Sequence, residues 1–331
     1  MKTSSTDKVS RVLMTGGMGF VGGHLSRAVE VAFPGAELVN IFRPSPNNTA
    51  SEPHGSEGAL WRQVAADLRD PRALDALTAD FRPDLVLHLA AQSSIAIAPD
   101  REKETWAVNY QGTVNLAQAC ARHVPESTFL FTSSVQVYGD NCRLGPVTEQ
   151  TPLAPREVYA KAKAAAEEAL QNILPSESRL IVVRPFNHTG PGQTSDFILP
   201  AMISQAVAIE EGRADPIVKL GNLHPKREIL DVRDVCDAYM ALINSVPSNS
   251  PAAENIFNVC TGNPIQIGEL AKIVQSKCKA EFEIRIDLDR IRENEIPVIL
   301  GSNKKIRDLT NWIPKRNIDK IISDIFEYYR N

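Results

Sequence analysis

No apolar run in the chain approaches the ~20 residues that a membrane-spanning helix needs. The N-terminal stretch MKTSSTDKVS lacks an apolar signal core, so a cytoplasmic protein is expected. A basic surplus is missing too: 36 Lys and Arg stand against 40 Asp and Glu, a formal −4. Neither nucleic acid nor an anionic membrane is an expected partner. The five cysteines (Cys120, Cys142, Cys236, Cys260, Cys278) are odd in number and contain no Cys-x-x-Cys, which predicts reduced, buried thiols. The six histidines include no His-x-x-x-His pair, so no metal is expected. Repeats and low-complexity tracts are also absent. What remains is 331 residues, 43% of them hydrophobic, enough for one large domain or two modest ones.

What is present is a rhythm. RVLMTG (11–16) is a short apolar run ending at glycine, and Phe20, Val21, Leu25, Ala28 and Val29 follow on one helical side. ELVNIF (37–42), a polar loop through Trp61, QVAADL (63–68), a helix from Pro71 and DLVLHLAA (84–91) come next. A long helix over about 102–122, TFLFTSS (128–134), a helix around 158–172 and RLIVVRPF (179–186) complete the first half. Short apolar strands alternating with helices predict an α/β fold, a doubly wound parallel sheet covered on both faces. Beyond Phe186 the pattern loosens: a helix over about 197–211, short strands in DPIVKLGN (215–222) and KREIL (226–230), and a charged segment at 276–297. Such interrupted elements suit a smaller substrate-binding lobe. The chain is expected back in the sheet within 228–260. Residues 1–186 plus about 228–262 would then form the dinucleotide domain, interleaved with a lobe of about 187–227 and 263–331.

TGGMGFVG (15–22) places Gly16, Gly19 and Gly22 at the first strand-to-helix turn. The first two let backbone approach a pyrophosphate and the third lets helix and strand pack closely, although a plain tight turn also uses glycine. At the end of the second strand, where an NAD site usually carries an acid, the chain reads Asn40-Ile41-Phe42-Arg43. Arg43 can pair with a 2′-phosphate, which favours NADP(H) and leaves NAD(H) possible; the alternative is a solvated loop charge. Asp67 and Leu68 close the third strand where an adenine edge would lie, and a turn role for Asp67 competes with that. In EVYAKAKAAAEEAL (157–170), Tyr159 and Lys163 are one helical turn apart, so the lysine can lower the phenol's pKa and bond a ribose.

Together with HLAAQSS, VNYQGTVNL, SSVQVYG and YAKAK, these motifs give the chain, over nearly its full length, a resemblance to the extended short-chain dehydrogenase/reductase family, whose nucleotide fold is of Rossmann type. RPFNHTGPGQ, KREILDVRDVCDAY and IPVILGSNKKIRDLTNW are most similar to GDP-6-deoxy-4-keto-D-mannose reductases, which form GDP-D-rhamnose; GDP-mannose 4,6-dehydratases are close relatives. The resemblance implies catalytic Ser134, Tyr159 and Lys163, with Ser134 bonding the carbonyl and Tyr159 giving the proton. It adds Phe20, Val21, Ala90 and Ala91 to the cofactor site and sets Arg184 and Pro185 near the nicotinamide. It assigns Asn187, Lys219, Arg227, Arg292 and Glu295 to a GDP-linked sugar. Ser133 is read as a strand-end hydroxyl, and His188 as a substrate contact or a loop-ordering group. It also implies a homodimer through the helices around 102–122 and 158–172, where Ala160, Ala164, Ala165 and Ala169 permit close approach.

Two positions after Ser134, where dehydratase relatives carry glutamate, this chain has Gln136. An amide cannot take the C5 proton that dehydration requires, so ketone reduction is the favoured reaction. A 4,6-dehydratase or epimerase with tightly bound NAD(P) is the enzymatic alternative. A non-catalytic dinucleotide sensor is disfavoured by the intact Ser134, Tyr159 and Lys163.

Overall fold

The computed structural model describes residues 9–43, 60–92, 101–248, 250–291 and 294–331. Its first half alternates as the sequence predicts: β1 (Arg11–Thr15), α1 (Phe20–Ala32), β2 (Glu37–Phe42), β3 (Trp61–Ala65), α2 (Pro71–Phe81) and β4 (Leu85–His88). After them come α3 (Glu102–Trp106), α4 (Gly112–His123), β5 (Thr128–Thr132), α5 (Val158–Ile173) and β6 (Arg179–Pro185). The second half contains β7 (His188–Thr189), α6 (Ile198–Glu210), β8 (Ile217–Leu220), β9 (Lys226–Arg227), β10 (Leu230–Asp231) and α7 (Val232–Ser245). It ends with β11 (Ile256–Val259), β12 (Ile265–Gln266), α8 (Ile267–Lys277), β13 (Glu283–Ile286), β14 (Val298–Ile299), α9 (Lys304–Thr310) and α10 (Ile318–Arg330).

Seven strands form one parallel sheet in the order β11-β6-β5-β4-β1-β2-β3. Every residue of β4 and β6 is buried, as expected where helices cover both faces. One face packs Val12, Met14 and Leu130 against α1 and α7; the other packs Leu13, Val39 and Phe129 against α2, α4 and α5. A third cluster gathers Met202, Ile203, Leu270, Ile321 and Ile325 from α6, α8 and α10. The strand order reverses between β1 and β4. In open α/β sheets that reversal leaves a crevice where ligands bind.

Four local expectations are corrected. Trp61 opens β3 rather than lying in a loop, because it pairs with Leu38 and buries its ring. β3 ends at Ala65, and the following residues turn into α2, whose first N–H groups are capped by Asp70. The helix expected over 102–122 contains a π turn at Ala107–Gln111. There the Asn109 side chain bonds both backbone groups of Gln92, and its carbonyl accepts from the Thr113 hydroxyl. KREIL is not one strand: β9 and β10 are separated by Glu228, whose buried carboxylate accepts from the Gly262 and Gly301 amides and the Thr261 hydroxyl.

Candidate active site

The turn from β1 into α1 is shaped by close backbone approach. Gly16 has φ +81° and lies against Ala90, where an added Cβ would come within 2.7 Å of the Ala90 nitrogen. A Cβ on Gly22 would meet the Gly16 carbonyl oxygen at 2.2 Å, so α1 can start here only on glycine. Gly19 is the N-cap and supplies no side chain, leaving the first amides of α1 without a side-chain cap. That bare helix start is a cradle that fits a pyrophosphate. Phe20 and Val21 open the helix; Phe20 stacks on His188 with ring centroids 6.3 Å apart. Gly17, which motif spacing passes over, donates its amide to Asn40 Oδ1 at 2.9 Å. Asn40 is buried, and its amide nitrogen donates to Gln63 at 2.6 Å. Ala90 and Ala91 follow β4 and are half-buried.

At the neighbouring strand ends, charges are mutually paired. Arg43 lies 3.2 Å from the Glu104 carboxylate, and Arg101 lies 3.6 Å from the other oxygen of the same group. Asp67 accepts from the backbone and guanidinium of Arg69 in a tight turn, which holds its carboxyl below the usual range. The turn role for Asp67 is therefore the one seen in the geometry, while Leu68 beside it is buried and its carbonyl accepts from Asn115.

Ser134, Tyr159 and Lys163 come together where β5 ends and α5 begins. The Ser134 hydroxyl partners Tyr159, yet burial outweighs that bond and pushes the phenol up to about 12. Lys163 is enclosed; its Nζ donates to the Thr132 carbonyl at 2.7 Å and lies 4.7 Å from the centroid of the Phe131 ring. Burial lowers it to about 7, against the opposing pull of Glu167. Nζ is engaged with the Thr132 carbonyl, and burial dominates at the phenol. Gln136 donates its backbone amide to Ser134 Oγ at 3.2 Å.

Carboxylates on adjoining segments are engaged elsewhere. Asp140 is paired with Arg143 and Arg156, and Glu149 accepts the Asn258 amide at 2.8 Å. Glu167, which motif spacing did not single out, is buried under Arg184: Nε and Nη2 reach its two oxygens at 3.0 and 2.5 Å. Ser133 donates its hydroxyl to the same carboxylate, a partner other than the backbone expected for it. Arg184 also donates to the Tyr138 hydroxyl, which donates to Asn258. Helical spacing from Lys163 was the signal that could have found Glu167.

In the far lobe, Arg227 Nη2 lies 2.9 Å from Glu295 Oε1, and Glu295 also accepts from Asn222. The structure therefore joins two of the residues expected at the sugar nucleotide. Lys219 stands exposed on the separate β8–β13 ribbon. Asn187 is half-buried at the end of β6, its carbonyl accepting from Leu230. His188 orders its loop through the Phe186 carbonyl at 2.9 Å. Arg292 lies outside the described residues.

Residues 12–260 match the model of the NAD dependent epimerase/dehydratase family. The chain belongs to that family. It is 32% identical over 320 residues to GDP-6-deoxy-D-mannose reductase of Pseudomonas aeruginosa, covering 95% of this chain and 96% of that one. It is 26% identical to dTDP-D-glucose 4,6-dehydratase of Homo sapiens, over 97% of this chain and 90% of the relative. Among solved structures, RMD from Pseudomonas aeruginosa complexed with NADPH superposes with a TM-score of 0.78 at 28% identity, over 97% and 98% of the two chains. This epimerase/dehydratase-family chain is thus an NAD(P)-dependent sugar-nucleotide oxidoreductase of Rossmann type.

Proposed function

We propose that the chain reduces the C4 ketone of a nucleotide-linked 4-keto-6-deoxyhexose with NADPH, converting GDP-4-dehydro-6-deoxy-D-mannose to GDP-D-rhamnose. The observation that carries the reading is Gln136: the Ser134–Tyr159–Lys163 group is complete, but the position two residues on holds an amide. Similarity to a GDP-6-deoxy-D-mannose reductase supports the choice of sugar and nucleotide.

In this reading Gly16, Gly19 and Gly22 would receive the pyrophosphate, and Phe20, Val21, Ala90 and Ala91 would help hold the cofactor. Leu68 and the Asp67 turn border the adenine, and Arg43 takes the 2′-phosphate in place of Glu104. The bound cofactor supplies a hydride to C4. Ser134 donates a hydrogen bond to the carbonyl oxygen, and Tyr159 transfers its proton to that oxygen as the alcohol forms. Lys163 holds the nicotinamide ribose and stabilises the phenolate left behind, which regains a proton from solvent. Arg227, Lys219 and Arg292 would bind the diphosphate, Glu295 the ribose hydroxyls and Asn187 the sugar.

The same reading keeps residues 1–186 with about 228–262 as the dinucleotide domain, and about 187–227 with 263–331 as the interleaved lobe. The return of β11 to the sheet and the separate α6–α8–α10 core support it. A homodimer through the helices around 102–122 and 158–172 belongs to it too, supported by half-buried Ala164, Ala165 and Ala169, whereas Ala160 is fully buried within the chain. The test is incubation with NADPH and a panel of 4-keto-6-deoxy GDP-, dTDP- and CDP-sugars, with products identified by mass and NMR. One NADPH consumed per GDP-ketosugar is expected. Rapid dehydration of GDP-mannose with NADP⁺ would replace this reading with the dehydratase one.

A further inference from the structure

Beneath the Tyr159–Lys163 turn lies a sealed set of charges that the proton transfer itself does not use. Arg184, on β6, and Glu167, on α5, are each about 4% exposed or less in their side chains and are joined by two hydrogen bonds. Glu167 lies one helical turn past Lys163, on the same face of α5. Burying such a pair is costly, and an apolar pair would fill the space as well or better, so stability alone is a weak account of it.

Among the described residues, Glu167 is the one charged group that acts on Lys163. On its own helix it faces the Tyr159 phenol, held protonated by burial, and Glu167. From β4 comes His88, clamped between the Thr15 and Thr113 hydroxyls and pushed down to about 3 by burial, hence neutral. β5 offers a carbonyl and the Phe131 ring; α7 brings Tyr239, kept neutral by burial, up to Thr132 and Tyr159. β6 offers Arg184, a cation bound to the Glu167 carboxylate. Among these groups Glu167 is the one anion.

We propose that Glu167 is a positioning residue that keeps Lys163 protonated, and that Arg184 and Ser133 fix where its carboxylate points. The proposal rests on the roles given to Tyr159 and Lys163 above. Arg184 shares the carboxylate's charge, so the two partners act on Lys163 with opposite sign. Glu167→Gln removes the anion and makes the ammonium easier to deprotonate. Arg184→Gln leaves the anion to Lys163 alone and makes it harder. The protonated lysine is the active form, so activity is present below its pKa and lost as pH rises through it.

The test reads Lys163 directly. With 13Cε-labelled lysine, its signal is assigned by its disappearance in Lys163→Met and titrated by NMR. In Glu167→Gln the midpoint should fall by about one pH unit, the lower end of what a nearby opposite charge is worth. In Arg184→Gln it should rise, and Glu167→Asp should restore it towards the parent value. The high-pH limb of kcat should move with it. Melting temperature and NADPH binding identify which variants remain folded, and either opposite-signed variant suffices. An unmoved midpoint in a folded variant overturns the proposal. A midpoint that moves as expected in a protein that reduces no ketosugar leaves the tuning intact and removes the reaction assigned to the site.

Discussion

Arg43 meets Glu104 before it can meet a phosphate, and the two anions compete for one guanidinium. Arg43→Asp should weaken NADPH binding far more than NADH binding, because it sets a like charge against the 2′-phosphate. Glu104→Gln should do the reverse, tightening NADPH while leaving NADH nearly unchanged. Fluorescence titration with both nucleotides decides it; equal effects on the two would take Arg43 away from the phosphate. Tyr159→Phe keeps the ring and the packing but removes the proton, so turnover should drop ~10²–10⁴-fold with NADPH still bound. Tyr159 and Lys163 were legible from helical spacing and Ser134 from the family resemblance, and the structure brings the Ser134 hydroxyl to Tyr159 one turn before Lys163. Glu167 shares that helical spacing but was not singled out, and its bonds to Ser133, just after β5, and to Arg184, on β6, join three segments and leave no periodic trace in the chain.

At the scale of elements, the strand–turn–helix unit at 11–32 was readable because each demand falls on a different residue type: apolar strand, glycine turn, amphipathic helix. Its tolerance is correspondingly small. Gly22→Ala drives a methyl into the Gly16 carbonyl and should cost on the order of 1–3 kcal/mol, with loss of cofactor binding. Thermal melts with and without NADPH test this; an unchanged melt would mean the turn can yield. The π turn in the 102–123 helix escaped the sequence for a physical reason. One extra residue in a turn shifts the apolar stripe too little to disturb its period, and its visible partner, the Gln92 backbone, lies on another segment. Glu228 escaped similarly, since its three donors come from 261, 262 and 301.

Across the whole molecule, α7 ties the sheet to the C-terminal segments. Its fully buried Asp234 accepts from the Lys315 and Arg316 amides and from the Arg316 guanidinium, and the Trp312 indole donates to the Asp234 carbonyl. Arg233 binds Asp231 and reaches Asp324 of α10. Asp234→Ala should destabilise the protein by ~3 kcal/mol, the scale for breaking a buried ion pair, read as a lower urea midpoint. No change in that midpoint would show that the C-terminal segments are held by apolar packing alone. Asp324 is held below the usual carboxylate range: burial raises it, but Lys320 and Arg233 together win. Its contribution is therefore present above the ordinary carboxylate pKa and is lost as pH falls through the depressed value.

The strand order also sets a timetable. β6 is buried along its whole length, yet one of its edges is completed only by β11, with Val182–Pro185 paired to Ile256–Val259. A growing chain must therefore make β6 and the whole excursion after it before that edge can close. Until then a row of unsatisfied amides and carbonyls on an apolar strand is open to any other chain. Non-local parallel pairing is slow, and slow closure of such an edge invites association. Chains ending before residue 256 should collect in aggregates on expression, whereas chains ending just after 263 should pellet less, and fractionation of the two truncations would show it.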